Sequence, residues 1–535
     1  MNIVTKSSLV CAVIAGAALA HSMASDNIPN PEKPARIAWP TYNGDYSGRR
    51  FSPLANVNST NVKALSVAWM YHISDVGMQR GVGSPDIKST PLMLNGILYF
   101  TIPDHVYAVD AHTGRELWHF DWQDKGGHLT GQRGVGAYEN WLYFMTPDDW
   151  FISLDARTGK ERWRKKVADE KLQYFTTTST VVIGNHVIVG IGGDAMDVPG
   201  FLEARDPETG DVQWHWDSEP KPGQPGSETW PNASSMAHGG GMTWLPGTYD
   251  PDLDLLYWGT GNPNPVYAGQ GRKGDNLWTC SIVALKLETG KLAWYFQSSP
   301  HDTHDWDNVE TPVLFDAAVD GHPRKLLAQA ARNGYFFVLD RTNGKNIVSK
   351  PFVPLNWSKG VNAKGEPIPN VNEEPSVDGV LLSIPVGGGT NWMPPSFDPD
   401  TKLFYVNATD GYSLAYLTDT DKNPQGYGGS GRNLWTQHVL EALDYHTGDI
   451  EWRHAYTTAS GGSGSPGVLT TAGHLLFTGD YAGNLIAFAP ADGNILWHFH
   501  MGKSLSNGPE TYLLDGRQYV VAGAGDTLFA FELAK

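Results

Sequence analysis

The chain repeats one phrase, and that repetition restricts it to folds built from similar units set side by side. Residues 108–118 read AVDAHTGRELW and 153–163 read SLDARTGKERW; 204–214 (ARDPETGDVQW), 284–294 (ALKLETGKLAW), 442–452 (ALDYHTGDIEW) and 487–497 (AFAPADGNILW) follow the same template. Trp118 and Trp163, like Trp452 and Trp497, lie 45 residues apart, room for about four short strands and their turns. In each unit an apolar pair closes a strand, Asp, Thr and Gly form a turn, and a new strand carries a Trp. Asp and Thr cap backbone groups in such turns, and Gly accepts the positive φ that other residues resist. The Trp is expected to pack between neighbouring sheets.

Blurred copies at Val338 to Gly344 and Phe397 to Lys402 bring the count to eight. The expected fold is all-β: an eight-bladed β-propeller with tryptophan-docking repeats, one domain over residues 25–535. Apolar runs at Ile97 to Thr101, His186 to Ile191, Leu255 to Gly259, Tyr335 to Leu339, Leu403 to Val406, Leu475 to Thr478 and Tyr519 to Phe531 are its strands. A strand near Ser66 to Trp69 is expected to pair with the C-terminal segment and close the ring. The 60 Gly, 20 Trp and 22 Tyr suit many short strands and turns. A net charge of −18 excludes the basic footprint of a nucleic-acid binder and favours a basic protein partner.

Residues 1–24 have the layout of a cleaved export signal: Lys6, an apolar stretch from Leu9 to Leu19, and small residues at Ala18, Ala20, Ser22 and Ala24. The stretch is too short for a membrane span, so a soluble, exported, periplasmic protein is expected. Beyond Cys11 in that leader only Cys280 remains, which leaves core packing as its role.

Chemistry is concentrated in a few short motifs. Gly239-Gly240-Gly241-Met242-Thr243-Trp244 offers a large flat ring beside a side-chain-free backbone, suited to stacking on a planar ligand or to ordinary core packing. Gly259-Thr260-Gly261-Asn262-Pro263 places an amide oxygen after a strand, and hard cations take such oxygens. Pro300 to Asp307 (PHDTHDWD) is rich in carboxylates, as a solvated loop or a cation site would be. A zinc pair at His301 and His304 lacks a third His or Cys at zinc spacing. Arg133 in QRGV, Arg332 in ARNG and Asn391-Trp392 in GGGTNW complete the set. Gly190 to Ala195 loosely imitates a dinucleotide fingerprint, but Pro199-Gly200 would interrupt the helix it needs. No CxxCH motif for an attached haem is present.

From WPTYNGDYSGRRFSPL (Trp39 to Leu54) to the last strand, the chain resembles the quinoprotein alcohol dehydrogenases, which use pyrroloquinoline quinone (PQQ) and one metal ion. The resemblance implies that Trp244 lies under the quinone, that Arg133, Asn391 and Trp392 also contact it, and that Arg332 reaches its reactive carbonyl oxygens. It implies Asn262 and Asp305 as metal ligands and Asp305 as the base that accepts the alcohol proton. Asp307 resembles the extra acidic ligand of lanthanide-using members, so the metal is expected to be Ca2+ or a lanthanide. Electrons are then expected to pass to cytochrome c or another external acceptor, and no membrane span is involved.

Three positions depart from the family pattern. The adjacent cysteines before the RGV motif are replaced by Gly127 and His128, the usual metal-binding Glu by Ala195 with Asp194 beside it, and an acidic or polar cofactor contact by Lys88, which would pair with a quinone carboxylate. The substrate class therefore stays open between simple alcohols and a sugar, polyol or bulky secondary alcohol, and oligomeric state is open. A rival of another class is a non-catalytic propeller scaffold, which would need the phrases but not Trp244, Asn262, Asp305 and Arg332.

Overall fold

Each repeat becomes a sheet in the computed structural model, which describes residues 37–73, 86–123, 131–193, 197–457 and 466–534. Among the described residues, eight sheets of four or five strands succeed one another along the chain, beside one two-stranded sheet. The first is a meander of Leu92–Leu94, Ile97–Ile102, His105–Asp110 and Glu116–Asp121. The ring closes as expected. Leu65–His72 from near the start of the chain becomes the outermost strand of the last sheet, antiparallel to Thr527–Leu533. The run Tyr519 to Phe531 is divided between two strands, Arg517–Ala524 and Thr527–Leu533, which Gly525 and Asp526 connect.

The eighth sheet comes from that closure and not from an eighth phrase. Phe397 to Lys402 lies in the hairpin between Ser396–Asp398 and Leu403–Leu417, the first and second strands of its sheet. True copies join third strand to fourth. In the copy at Asp110, the carboxylate accepts from the backbone of His112 and Thr113 and from the Thr113 hydroxyl. The blurred copy at Val338 to Gly344 does occupy this turn.

The Trp of one sheet docks on the Gly of the next. A Cβ at Gly290, whose φ is +63°, would lie 2.5 Å from Trp214, so both the turn and the close approach demand glycine. Trp69, Trp118, Trp163, Trp294 and Trp452 meet Gly114, Gly159, Gly210, Gly344 and Gly493 in the same way. Most of these indoles also donate into the turn they cover, as Trp69 does to Ala111 O (3.2 Å) and Trp294 to Arg341 O (3.1 Å). One latch is therefore both apolar and hydrogen-bonded.

Residues 39–52 run across the innermost strands and tie them together. Backbone N–H groups of Met93, Tyr249, Leu314, Phe397 and Thr470 donate to Trp39, Tyr46, Ser47, Arg49 and Arg50 carbonyls, and the Tyr46 hydroxyl donates to Val182 O. Arg50, fully buried, donates to Tyr42, Val468 and Pro509 carbonyls. This segment accounts for the innermost strands of six sheets, which no repeat analysis anticipates.

Candidate active site

Antiparallel meanders put three loci at the same end of every sheet: the turn leading into strand one, the end of strand two and the start of strand three. The motifs fall on these loci. Lys88, Arg133, Trp244, Asp305, Asp307, Asn391 and Trp392 lie three to eight residues before an innermost strand. Asn262 follows the second strand Leu255–Gly259, and Arg332 sits between His322–Ala330 and Tyr335–Asp340. Residues distant in sequence are thereby brought to one face. The interval from Gly239 to Asp307 supplies Trp244, Asn262, Asp305 and Asp307, and Lys88, Arg133, Arg332, Asn391 and Trp392 come from elsewhere in the chain.

Two groupings form. In the first, the Arg332 guanidinium donates to Asp307 Oδ2 at 2.8 Å and to Asp305 Oδ2 at 3.1 Å. Asp307 also accepts from Trp244 Nε1 at 3.3 Å and, through Oδ1, from Asn262 N at 2.8 Å. Burial opposes the charge on Arg332, but Asp305 and Asp307 override it and hold its pKa above the ordinary arginine value. Asn262 turns its Nδ2 to Pro263 O at 3.3 Å. Asp305 adopts φ +65°, a strained conformation for a non-glycine residue.

In the second grouping, the Arg133 guanidinium lies between two indoles, 5.0 Å from the Trp244 ring and 4.8 Å from the Trp392 ring. It donates to Thr177 O at 3.0 Å, while its buried Nε has no partner. No described carboxylate forms an ion pair with Arg133, and burial lowers its pKa to about 10. Lys88 is also lowered, by burial and then by Arg133. Asn391 donates to Gly387 O at 3.1 Å and accepts from Trp392 N at 2.9 Å, which fixes the angle of that indole.

The three glycines before Trp244 serve loop packing: Cβ atoms there would meet Pro199, the Asn262 and Pro263 backbone, and Ser218 with Glu219. Asp194, Ala195, Gly127 and His128 lie outside the described residues, as does the leader. His301 Nδ1 is hydrogen-bonded to Gly274 O and His304 Nε2 to Glu373 O, with His304 stacked on Trp306, so neither histidine points to zinc. Cys280 is buried, its thiol 3.3 Å from Trp306 O.

Glu310 escaped the motif search. It is buried, no side chain hydrogen-bonds its carboxyl group, and burial, only partly offset by backbone N–H groups and the Arg332 charge, pushes its pKa up to about 8. A signal existed: Glu-Thr stands just before the innermost strand here and opens the innermost strand at Glu510-Thr511, where the second Glu is equally buried and lies near Arg50.

The arrangement suits a flat, anionic ligand and a cation. Arg133 is a buried cation, held between two flat rings, without an acidic counter-ion among the described residues; ligand carboxylates would supply one. Asp305, Asp307 and the amide of Asn262 form a hard-oxygen donor set. Among the described residues no three His, Cys, Asp or Glu side chains cluster as a metal cage on their own.

Residues 39–354 match the family described as "PQQ: Glucose/ethanol/alcohol dehydrogenase, beta-propeller domain". Residues 431–535 match a second, described as "Outer membrane protein assembly factor BamB", over a stretch that carries none of the site residues. The quinoprotein alcohol dehydrogenase PedH of Pseudomonas putida is 34% identical, over 99% of this chain and 93% of its own length. The solved quinohemoprotein alcohol dehydrogenase of Comamonas testosteroni superposes with a TM-score of 0.85 at 32% identity, over 94% of this chain and 81% of the other. A europium-containing methanol dehydrogenase does so with a TM-score of 0.83 at 27% identity, over 95% and 100%.

Proposed function

The chain belongs to the PQQ-dependent quinoprotein alcohol dehydrogenases, and we propose that the propeller face carrying Arg133, Trp244, Asp305, Asp307 and Arg332 is its active site. The enzyme oxidises an alcohol to an aldehyde or ketone with PQQ. When bound, PQQ supplies the two-electron acceptor and the metal ion a Lewis acid. The observation that carries the assignment is the convergence of two unlike groupings on Trp244: the acidic pair with Arg332 at one side, and the unneutralised Arg133 at the other.

Each residue has a role that follows from its surroundings. Trp244 and Trp392 hold the flat cofactor, Arg133 and Lys88 neutralise its carboxylates, and Asn391 orients Trp392. Asn262, Asp305 and Asp307, with Asp194, hold the metal. Asp305 accepts the proton of the alcohol hydroxyl at its carboxylate. Arg332 stays charged throughout and stabilises negative charge on the reacting oxygens, a role for which its raised pKa suits it.

Two acidic side chains against one arginine leave negative charge for a highly charged cation, and the likeness to a europium-containing methanol dehydrogenase supports a lanthanide over Ca2+. The substrate is a primary or secondary alcohol. Electrons leave singly to cytochrome c, in keeping with a relative named "1-butanol dehydrogenase (cytochrome c)". Residues 25–535 form one propeller domain in this reading, and the leader-like residues 1–24 direct it to the periplasm. Among the described residues no helix is long and apolar enough to cross a membrane.

Purified apoprotein is to be loaded with PQQ and either Ca2+ or a light lanthanide and assayed by dye reduction over methanol, ethanol, 1-butanol, secondary alcohols and polyols. Turnover with the lanthanide is expected. Turnover with Ca2+ alone would overturn the role of Asp307, and no turnover under any condition would favour the scaffold reading.

A further inference from the structure

One sheet is built differently from the other seven. Its second and third strands, Leu403–Leu417 and Gly429–Asp444, run 15 and 16 residues and continue as a paired arm beyond the sheet. Because strand two ends and strand three begins at the active-site end, the arm projects on that face. Its inner side packs on the loop that carries the cofactor clamp. The Ser413 hydroxyl donates to Ile384 O at 2.7 Å, Val386 N donates to Asn433 Oδ1 at 2.8 Å, and Thr409 N donates to Gly389 O at 2.7 Å. Gly389 N in turn donates to Arg332 O at 2.8 Å, and Gly387 O accepts from Asn391. The arm therefore backs both Arg332 and the Asn391-Trp392 pair.

Its outer side is apolar and uncovered. Tyr412 and Trp435 are direct cross-strand partners with ring centroids 6.2 Å apart, each 47% exposed. Leu434, at the bulge beside them, is 57% exposed, and Leu381 on the adjoining strand, paired to Leu414, is 53% exposed. Large side chains clustered on a solvent face mark a contact surface rather than a core. The arm and its flanking segment carry Glu373, Asp378, Asp419 and Asp421 against Lys422 and Arg432, and the whole chain has a net charge of −18. An apolar centre on an acidic chain fits a basic partner: the net charge steers the approach and the aromatic pair forms the contact.

We infer that the outer face of this arm, centred on Tyr412, Leu434 and Trp435, is the docking surface for a basic, soluble one-electron carrier of the c-type cytochrome class. The inference rests on the reading that a protein carrier reoxidises the enzyme. The balance requires one: oxidation of an alcohol to a carbonyl releases two electrons and two protons, so two ferric carriers each take one electron and the protons pass to solvent. The chain has no haem-attachment motif with which to store them. The surface is separated from the clamp by the arm itself and the loop 383–392 that the arm covers.

The test compares two acceptors on the reconstituted holoenzyme: a small phenazinium dye, which needs no docking, and a basic c-type cytochrome. Trp435→Glu and, on a different strand, Leu381→Glu are expected to raise the KM for the cytochrome about tenfold while dye turnover stays unchanged. Binding of ferric cytochrome at low salt, followed by calorimetry, is expected to weaken by the same factor, and wild-type affinity to fall as salt rises. An unchanged cytochrome KM in both variants would overturn the assignment. Wild-type enzyme that reduces dye but no cytochrome would instead defeat the carrier reading on which it rests. A wild-type dimer that Trp435→Glu converts to monomer, at unchanged cytochrome KM, would make a second copy of the chain the occupant.

Discussion

The two ends of each sheet obey different rules. At the turns between third and fourth strands the sequence is periodic: six glycines receive six tryptophans from the preceding sheet, with the same contact each time. At the opposite end, where chains lead into the innermost strands, the site residues do not repeat from sheet to sheet, and there Arg133, Trp244, Asp305, Asp307 and Trp392 converge. A latch must satisfy the same geometry in every repeat, so it repeats. A single asymmetric ligand needs different groups from different directions, so different sheets supply different residues. The comparison predicts that the two ends fail separately: changes at the site remove activity without lowering stability, and changes at the latches do the reverse.

Asp305→Ala should show the largest effect. Loss of the proton acceptor is expected to reduce dye-linked turnover by roughly 10²- to 10⁴-fold. Thermal midpoint and retention of PQQ on gel filtration should be unaltered. A variant that unfolds instead would show that the acidic pair also has a structural role, and the two ends would no longer be separable.

Arg133 gives the sharper version of the same contrast, because two buried guanidiniums on this face differ in a single respect. Arg332 has two aspartates and a raised pKa; Arg133 has no described carboxylate and a lowered one. A buried cation without a counter-ion costs stability, and one paired with a ligand carboxylate contributes about 1.5–3 kcal/mol. Arg133→Met is therefore expected to weaken PQQ binding about 10- to 100-fold, by fluorescence titration, and to raise the thermal midpoint of the apoprotein. A fall in that midpoint would mean that the stack between Trp244 and Trp392 is itself a structural contact.

At the latch end, Gly290→Ala places a Cβ against Trp214 at a positive φ and is expected to cost about 1–3 kcal/mol. The midpoint should drop by several degrees with unchanged turnover per folded molecule. Lost turnover without lost stability would break the comparison.

How much of this was legible before the structure follows from the same division. The phrase and its period are local or periodic, and hydrophobic patterning exposes them; the pairing of the early strand with the last one follows from the need of such a ring to close. Trp244, Asp305, Asp307 and Arg332 stand in distinctive short motifs. The site's internal geometry was not legible, because Arg133, Trp244 and Trp392 meet only through the closure of the ring, across more than 250 residues of chain. The segment 39–52 has no repeat to betray it, since it pairs with five different innermost strands through backbone groups alone. The exposed Tyr412 and Trp435 look like any other strand aromatics until the length of their hairpin shows that it passes beyond the sheet. Phe397 to Lys402 misled for a related reason: an Asp-Thr turn reads the same whether it joins strands one and two or three and four.

Glu310 tests the boundary between the two ends, and its effect should be the smallest. It lies three residues beyond Asp307 and beside Arg332, and burial raises its pKa to about 8 from an ordinary 4.5. A carboxyl with a raised folded-state pKa binds its proton more tightly folded than unfolded. Its stabilising contribution is complete below about pH 4.5 and is lost as pH rises towards 8. The thermal midpoint of the apoprotein should therefore decline from pH 5 to pH 8. Glu219 and Glu510, buried and raised likewise, add to that decline. Glu310→Gln removes one proton's share, so its midpoint should decline less steeply over the same range while remaining near wild type at pH 5. Differential scanning calorimetry on the two apoproteins measures the difference, expected to be a degree or two at pH 8. Parallel curves would mean that Glu310 is ionised across the range, with Arg332 as its counter-ion, and would add it to the charge that holds the cation.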